Sequence, residues 1–536
     1  MNGKRILSIV TAGFLLLPTL AFASGCGEEK PIRLRVYSWE EYIDEGGEDS
    51  YVYDEIDGMI HDDYKAWNLQ TFGSEVDESA PSLLNDFERW YEHKYGTPIT
   101  VEYSTFGTNE DMYNQLKLGD TYDLICPSEY MIMKLAAEDM LVPYPESFFD
   151  QENEDNHYAR NVSPFIDNVF TSHTVTVTDE SGNQTDHLWR DYAAGYMWGT
   201  TGMIYNPETA DEDDLINWNV MLNKSYQNEV TTKDNVRDSY FVGLAILYEE
   251  ELLSLRSLHE SGNLSDEEYT NKIAEIMNRT DEQSVQGVQK ILLSMKDNLY
   301  GFETDTGKSD LVKGIISLNF AWSGDAVYAI DLAEEEDVIL KYFVPQECAN
   351  LWFDGWVMPK DENRTEETVQ AAHAFVNFLS MPYNAIRNMY YIGYTSAIAS
   401  DEVLEYIDYM YGIEEGDEGV PYDLSYFFGY DAEIVTYEDQ LSRQLFAQYP
   451  PEDVMLRCSV MDYFDTETYE RINELWAQVK GAELDAWAIA VICVSIVAIT
   501  AFLLLIKFGN KIDFFRTKPK KGYVKVNQEP YRKDVL

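Results

Sequence analysis

The stretch LWFDGW, residues 351–356, places a carboxylate two residues away from an indole on either side. Asp354 lies between Trp352 and Trp356, in a segment rich in residues that favour burial. A buried carboxylate is costly unless a positive group neutralises it. That group is either a Lys or Arg of the same chain or a cation that arrives from outside. The stretch therefore indicates an internal ion pair or a cation-binding site.

Similar clusters of Trp, Tyr and acidic residues occur near the ends of predicted strands. A carboxylate attracts a cation, an aromatic face adds a cation–π contact, and both rings bury apolar groups. With Trp352 and Asp354, the candidate binding residues are Trp39, Glu41 and Tyr42 in SWEEYI, Ser128 and Tyr130 in PSEY, Asp238 in DNVRD, Trp322 and Asp325 in AWSGDA, and Tyr394 in IGYTSA.

Each candidate also has a purely structural interpretation. Trp322 and Trp352 could be core residues, and Tyr130 could pack beneath its own helix. Asp238 could pair with Arg237 or cap the helix that follows it. Trp356 alternates to the same strand face as Asp354 but lies further along, and we expect it in the core.

Motifs of catalysis are missing from the sequence. No histidines have the HExxH spacing of zinc hydrolases, and no GxSxG nucleophile elbow is present. GFETDTGKSD resembles a phosphate-binding loop, but five residues separate Gly301 from Gly307 where four are needed. We therefore expect no catalytic residues, no metal site and no cofactor, and the chain does not read as an enzyme.

The net charge of the chain is −57, and the acidic excess lies outside the C-terminal tail. Such a surface repels nucleic acid and attracts cations over about one Debye length, roughly 10 Å at 0.1 M salt. Nucleic acid is therefore not expected as a partner. Long acidic stretches near 43–80, 147–191 and 408–440 have weak periodicity and indicate insertions.

Both ends of the sequence indicate a membrane. Residues 1–26 have the basic start, apolar stretch and small residues of an export signal, and FASGC resembles a lipobox. Lipidation of Cys26 and cleavage after Ala23 are the two alternatives. Residues 487–506 are uncharged and long enough for one transmembrane helix, and the basic residues 507–536 predict a cytosolic tail. The part between the signal and this span is expected outside the cytoplasmic membrane.

Three further cysteines, Cys126, Cys348 and Cys458, have no metal-site spacing. One disulfide among them is possible, but this is not a disulfide scaffold.

The elements that must position the candidate residues alternate between strand and helix. Strands are predicted at 34–39, 99–106 and 122–128, and helices at 82–96, 109–119 and 129–141. This order favours an α/β lobe with a largely parallel sheet, in which ligands bind at the carboxyl ends of strands. Trp39 and Ser128 lie at two of those ends. A second α/β pattern begins at 195–207 and continues through 314–324.

Taken in order, with YMWGTTGMIYN between them, the six clusters resemble the spermidine/putrescine-binding proteins of bacterial ABC transporters. The resemblance covers about residues 33–480. It implies a two-lobed, type II periplasmic-binding-protein-like α/β fold with a cleft between the lobes, followed here by the C-terminal transmembrane helix. Lobe one would comprise 33–194 and 352–395, and lobe two 196–351 and 396–480, with hinge crossings near Gly195–Trp198, near Trp352 and just after Tyr394.

The resemblance also implies a ligand and partners. Polyamine would bind in the cleft, with Trp39, Glu41, Tyr42, Ser128 and Tyr130 on lobe one, Asp238 and Trp322 on lobe two, and Trp352, Asp354 and Tyr394 along the hinge. Asp325 matches an acid of the putrescine-preferring branch. Asn235 and Glu40 depart from the family pattern, so the preferred polyamine stays open. A monomeric ectodomain would deliver ligand to ABC permease subunits driven by a separate cytosolic ATPase.

Two other functions are open from the sequence. A membrane-tethered polyamine sensor would signal through residues 507–536, which contain no recognisable domain. A ferric-ion binder of the same fold would use the adjacent pair Tyr390–Tyr391, although no His or additional acid flanks that pair.

Overall fold

The computed structural model describes residues 30–47, 50–54, 59–60, 62–73, 81–179 and 181–481. The predicted signal at 1–26 with Cys26, the predicted span at 487–506 and the basic tail at 507–536 lie outside these ranges. Within the described ranges, no helix combines the length and apolar character that crossing a membrane requires. The chain divides into two units, one up to Val479 and one from Lys480 onward.

The strands of the described residues form two main sheets and several two-stranded pairs. In chain order they are β1 Ile32–Trp39, β2 Tyr53–Asp54, β3 Met59–Ile60, β4 Ile99–Phe106, β5 Leu124–Ile125, β6 Leu141–Val142, β7 Thr174–Thr178, β8 Gln184–Leu188, β9 Ala194–Tyr205, β10 Val230–Lys233, β11 Gly301–Glu303, β12 Leu318–Trp322, β13 Lys341–Phe343, β14 Ala349–Trp356, β15 Met358–Pro359, β16 Thr395–Ser396, β17 Val420–Asp423, β18 Glu433–Thr436 and β19 Cys458–Ser459.

The α-helices of the described residues occur singly or in runs of two to four between these strands, and the last one follows β19. They are α1 Asp62–Phe72, α2 Leu83–Tyr95, α3 Asn109–Leu118, α4 Glu129–Ala137, α5 His157–Asn161, α6 Pro164–Ser172, α7 Val236–Leu247, α8 Glu249–Glu260, α9 Asp266–Met277, α10 Glu282–Lys296, α11 Gly307–Val312, α12 Ser323–Glu335, α13 Glu366–Leu379, α14 Pro382–Ile392, α15 Asp401–Tyr411, α16 Ser425–Phe428, α17 Gln444–Gln448, α18 Glu452–Met455 and α19 Thr466–Lys480.

The first sheet has the order β4-β1-β5 and is parallel throughout. Trp39, the last residue of β1, pairs with Phe106, the last residue of β4, so the carboxyl ends of these strands meet at one edge. The predicted parallel α/β arrangement is confirmed, with strand 122–128 shortened to β5 and helix 129–141 ending at Ala137.

Local signals set the ends of α2 closely. The hydroxyl of Ser82 accepts a hydrogen bond from the backbone N–H of Asn85. Gly96 terminates the helix in the left-handed region at φ 73°, a conformation that costs glycine little. These caps satisfy backbone groups that the helix leaves unpaired, which is why the sequence located this helix to within a residue.

The second sheet has the order β11-β10-β12-β9-β14-β19, with β13 and β16 also paired to β9. All twelve residues of β9 are buried. The residues of β9 that pair with β14 run from Ala194 to Thr200, and the residues that pair with β12 run from Thr201 to Tyr205. Val357, the residue after β14, forms an isolated bridge with Ile125 of β5 in the first sheet. The chain of β14 therefore connects the two sheets, with β9 paired alongside it.

Two predictions outside the binding site are settled by packing. Trp356 is buried with its ring centroid 5.2 Å from that of Tyr196, which confirms that it belongs to the core. Cys126, Cys348 and Cys458 are buried free thiols, so none of the disulfides left open by the sequence is formed. The insertions near 147–191 and 408–440 include the antiparallel hairpins β7–β8 and β17–β18.

Candidate functional site

Asp354 lies on β14 and is 5% exposed. Its Oδ2 accepts a hydrogen bond of 2.6 Å from the hydroxyl of Tyr42, whereas its Oδ1 has no hydrogen-bond partner among the described residues. Burial raises the pKa of this carboxyl to about 6, against the opposing effects of the Tyr42 hydrogen bond and of the neighbouring Ser128 hydroxyl. The buried, half-satisfied carboxyl group has an unmet demand for a donor or a cation.

The strand β9 places aromatic rings around Asp354. Met197 of β9 pairs with Asp354 on one side and with Ser396 of β16 on the other, which brings the residue before β16, Tyr394, close to β14. The ring centroid of Tyr394 is 5.4 Å from that of Trp352 and 5.6 Å from that of Tyr42. The carboxylate of Asp354 and these three rings, which come from distant parts of the sequence, form the first wall of the site.

A second wall comes from the start of α4 and the first residue of α3. Asn109 donates one hydrogen bond to the Ser128 hydroxyl and one to the Tyr130 hydroxyl, at 3.1 and 3.0 Å. Glu129 is 1% exposed, and one of its oxygens accepts from the backbone N–H of Phe353 at 3.1 Å. Its other oxygen has no partner among the described residues, and burial raises its pKa to about 8. Glu129 is thus a second carboxyl group at the site.

The third wall is the start of α7, together with Trp322 at the end of β12. Asn235 caps α7 by accepting hydrogen bonds from the backbone N–H groups of Arg237 and Asp238. Asp238, in the first turn, is 5% exposed, and the indole of Trp322 lies close enough to its carboxyl group to favour the ionised form. Burial raises the pKa of Asp238 to about 7, while Lys233 opposes this.

Arg237 joins the second and third walls. Its guanidinium carbon lies 4.4 Å from the ring centroid of Tyr130 and 3.6 Å from that of Phe464. The guanidinium also donates to the backbone carbonyl of Asp462. The alternative in which Asp238 pairs with Arg237 is not realised, because Arg237 lies between two rings and no ion pair joins the two residues.

Asp325 differs from the other acids of the site because both of its oxygens are occupied. Lys233 Nζ donates to Oδ2 at 2.8 Å, and Lys308 Nζ lies 3.3 Å from Oδ1. The hydroxyl of Tyr394 donates to Oδ1 at 3.2 Å. Although burial opposes ionisation, the two lysines outweigh it and lower the pKa of Asp325.

We use the term acidic slot for the residues of these walls that face one another through the contacts above. They are Tyr42, Ser128, Glu129, Tyr130, Asp238, Trp322, Asp325, Trp352, Asp354 and Tyr394. Glu129 apart, all were predicted from the sequence.

Two predicted residues lie apart from the acidic slot. Trp39 packs on Phe106 with ring centroids 4.6 Å apart, and Glu41 is exposed with a left-handed φ of 52°. None of the hydrogen bonds, ion pairs or ring contacts of the described residues joins either of them to the slot.

Sequence reasoning missed four residues of the site region: Glu129, Lys233, Lys308 and Glu303. Glu303 belongs to it because its Oε1 lies 3.6 Å from Lys233 Nζ. Glu129 could have been predicted, because it lies between Ser128 and Tyr130 in PSEY. Lys308 belongs to GFETDTGKSD, whose likeness to a phosphate loop gives no hint of an ion pair with Asp325. No local signal distinguishes Lys233, since its partners come from distant strands and helices.

The described residues contain no cluster of the side chains that usually bind metal ions. Among the described residues, no group of three His, Cys, Asp or Glu side chains has the arrangement to hold a metal ion. Tyr390 of the pair considered for iron is exposed on α14 and packs near Tyr51, with ring centroids 5.5 Å apart.

Two α/β sheets joined by buried strands, with an acidic and aromatic slot beside those strands, define a two-lobed binding-protein fold. The chain belongs to the bacterial extracellular solute-binding protein family, whose profile matches residues 83–409.

The match to curated relatives includes most of each relative's length. The spermidine/putrescine-binding periplasmic protein of Salmonella typhimurium is 24% identical over 327 residues, which are 60% of this chain and 76% of that protein. The putrescine-binding periplasmic protein SpuD of Pseudomonas aeruginosa is 26% identical over 314 residues, which are 57% of this chain and 72% of that protein.

Solved structures share the fold. The spermidine/putrescine ABC transporter substrate-binding protein PotD of Streptococcus pneumoniae is 24% identical, with a TM-score of 0.50. The alignment covers 84% of this chain and 98% of that one. The TpPotD lipoprotein of Treponema pallidum is 16% identical, with a TM-score of 0.51. The alignment covers 83% of this chain and 99% of that one. These similarities show the two-lobed α/β fold that the sequence predicted.

Proposed function

We propose that this protein captures a polyamine in the acidic slot and delivers it to the membrane permease of an ABC importer. The names of the relatives support this ligand class, and the slot supplies the chemistry for it. An ammonium 4 Å from a carboxylate gains about 4 kcal/mol near a protein surface before desolvation. A methylene buried against a ring adds about 0.8 kcal/mol. A polyamine contains both groups in alternation.

The observation that carries the proposal is the free Oδ1 of Asp354. This oxygen is buried, has no partner among the described residues, and lies on a carboxyl group bordered by Tyr42, Trp352 and Tyr394. An ammonium placed there would complete the hydrogen bonding of Asp354 and keep its adjoining methylenes against the rings.

Binding of this kind requires access to a buried slot, which a hinge provides. We place the hinge at β9, β14 and β16, between a lobe of 33–194 with 352–395 and a lobe of 196–351 with 396–480. Asp238 and Trp322 then approach from the second lobe while Ser128 and Tyr130 approach from the first. Closure would bring both sets onto the ligand at once.

The chain would act outside the cytoplasmic membrane, exported by residues 1–26 and anchored at Cys26, at 487–506 or at both. The sequence alone supports this anchoring. Intact-mass analysis of the N-terminal peptide distinguishes an acylated Cys26 from cleavage after Ala23. Release of the protein by truncation before 487 tests the second anchor.

Calorimetric titration of the full-length chain in mild detergent tests the ligand. We expect saturable 1:1 binding of a polyamine, and we expect Asp354→Asn to weaken it by about 1–3 kcal/mol, since a charged donor is then left half-satisfied. Asp186→Asn, on the exposed hairpin strand β8, is the matched control and should bind as the parent does. Equal affinity in Asp354→Asn and the parent would exclude Asp354 from the site.

A further inference from the structure

Lys233, the last residue of β10, has a buried ammonium in surroundings that would suit a ligand. Its side chain is 1% exposed. Nζ lies 2.8 Å from Asp325 Oδ2, 3.0 Å from the carbonyl oxygen of Thr304 and 3.6 Å from Glu303 Oε1. The same Nζ lies 4.5 Å from the ring centroid of Trp322. Two carboxylates, a carbonyl and an indole face are the groups that an alkylammonium prefers.

The neighbouring Lys308 reinforces this arrangement. Its Nζ lies 3.3 Å from the other oxygen of Asp325 and 2.7 Å from Asp305, and its side chain is 16% exposed. Because both oxygens of Asp325 already have lysine partners, an incoming ammonium could bind Asp325 only by displacing one of them. The sequence-based role of Asp325 as a ligand for polyamine is therefore blocked by the chain's own lysines in this structure.

The two ends of the acidic slot differ in how their carboxylates are neutralised. At the Trp322 end, Lys233 and Lys308 pair with Asp325, Glu303 and Asp305, whereas Asp238 forms no ion pair among the described residues and is left for a ligand. At the other end Asp354 has a free oxygen and no lysine or arginine ion pair among the described residues. Each end can thus accept one ammonium.

We propose that Lys233 is a built-in ammonium that fills the Asp325 subsite, so that the slot selects diamines over triamines and tetraamines. This inference rests on the proposed function. A lysine side chain carries four methylenes and an ammonium, so it occupies the volume and charge that the additional aminopropyl arm of a longer polyamine would need. A diamine, in contrast, can place one ammonium at Asp354 and the other at Asp238 without displacing Lys233.

The test is calorimetric titration of the full-length chain in mild detergent with putrescine, spermidine and spermine, which carry two, three and four amines. The parent should bind putrescine at least about tenfold more tightly than spermine. Lys233→Met keeps an unbranched side chain one atom shorter and removes its charge, and should reduce that preference at least about tenfold. Lys341→Met removes a surface lysine of β13 that pairs with Glu212, and should leave the preference unchanged.

A parent that binds none of the three amines would contradict the proposed function itself. A parent that binds amines but does not prefer putrescine, or a folded Lys233→Met protein with the parent's preference, would overturn the role of Lys233 alone. Removing Lys233 leaves Asp325 and Glu303 buried with less charge compensation, so the variant could fail to fold. In that case Lys308→Met decides, because it removes the lysine partner of the other oxygen of Asp325, and Lys308 is the more exposed of the two lysines. It should reduce the preference at least about threefold, and an unchanged preference would overturn the inference.

Discussion

At the scale of single residues, burial decides which carboxyl groups of the acidic slot need a cation. Asp238 and Asp354 are both 5% exposed and have pKa values raised to about 7 and about 6. Asp325 is buried to a similar degree, yet its pKa is lowered because two lysines compensate its charge. A ligand cation therefore gains most at Asp354, which has no lysine or arginine partner among the described residues, and at Asp238, whose burial Lys233 and Arg237 offset only in part.

These raised pKa values predict that polyamine binding weakens in acid. Below pH 6 to 7 the free protein holds protons on Asp354 and Asp238, and an ammonium must expel them. Affinity should rise from about pH 5 to about pH 8, with protons released on binding. Titrations in buffers of different ionisation enthalpy measure this release. An affinity that is constant over this range would contradict the assignment of these two carboxyl groups.

The same shifts fix the sign of a stability effect in the unliganded protein. Since the native pKa values of Asp354, Asp238 and Glu129 lie above those of the unfolded chain, the folded state binds more protons between about pH 4 and about pH 8. Ionisation of these three groups thus destabilises the fold as pH rises through this range. A polyamine should reverse that contribution, most strongly at the alkaline end.

At the scale of elements, α12 determines where Tyr394 lies. A Cβ placed on Gly324, in the first turn of α12, would stand 1.3 Å from Cδ1 of the Tyr394 ring. The phenol ring therefore rests directly on the backbone of the helix. Only a residue without a side chain permits this contact between α12 and the segment before β16.

We expect Gly324→Ala to displace Tyr394 and so weaken both folding and binding. Overpacking of this kind costs about 1–3 kcal/mol of unfolding free energy. Polyamine affinity should fall as well, since Tyr394 contacts Trp352 and Tyr42. Chemical denaturation and calorimetry measure the two effects. Gly301→Ala is the control, because a Cβ there meets no atom within 4 Å.

A buried ion network holds the segment that carries Tyr42. Arg387 of α14 donates to Asp44 at 3.0 Å and to Asp86 of α2 at 2.8 Å, with all three side chains fully buried. The next residue, Asn388, accepts from the backbone N–H of Asp44 and donates to the hydroxyl of Tyr196, which in turn donates to the carbonyl of Tyr42. The network fixes Tyr42 beside Asp354.

Arg387→Leu should destabilise the protein by about 3–5 kcal/mol, because it leaves the buried Asp44 without its cation and the buried Asp86 with only the half-exposed Arg89. Urea denaturation measures this change in the free energy of unfolding. Arg33→Leu provides the comparison, since Arg33 pairs with Glu102 at the surface and should contribute only about 0–1 kcal/mol. Similar losses in the two variants would show that burial does not govern the Arg387 network.

At the scale of the whole molecule, the net charge of −57 attracts any polycation to the surface. This attraction is screened by salt, whereas binding in the buried slot is screened much less. Raising ionic strength from about 0.05 M to about 0.5 M should therefore remove weak multi-site binding and leave the single specific site. Calorimetric stoichiometry at the two ionic strengths measures the difference. Loss of all binding at the higher value would mean that only the surface holds polyamine.

The sequence by itself determined the features that depend on neighbouring residues. β1, β4 and α2 follow from hydrophobic alternation, helical periodicity and the caps Ser82 and Gly96. The clusters around Asp354 and Asp238 were visible because aromatic and acidic residues stand together at strand ends. The resemblance implied that they line one cleft, which stays a prediction, and the contacts described above link all of the predicted residues but Trp39 and Glu41.

Only the tertiary structure decided which acids are available to a ligand. Whether a buried carboxylate has a resident cation depends on side chains brought from far along the chain, and Lys233 reaches Asp325 across 92 positions. Periodicity and capping describe only neighbours within a few residues, so they contain no information about that distance. The sequence raised the choice between an internal cation and an external one. Packing resolved it separately at each site, giving Asp325 two lysines and leaving one oxygen of Asp354 free.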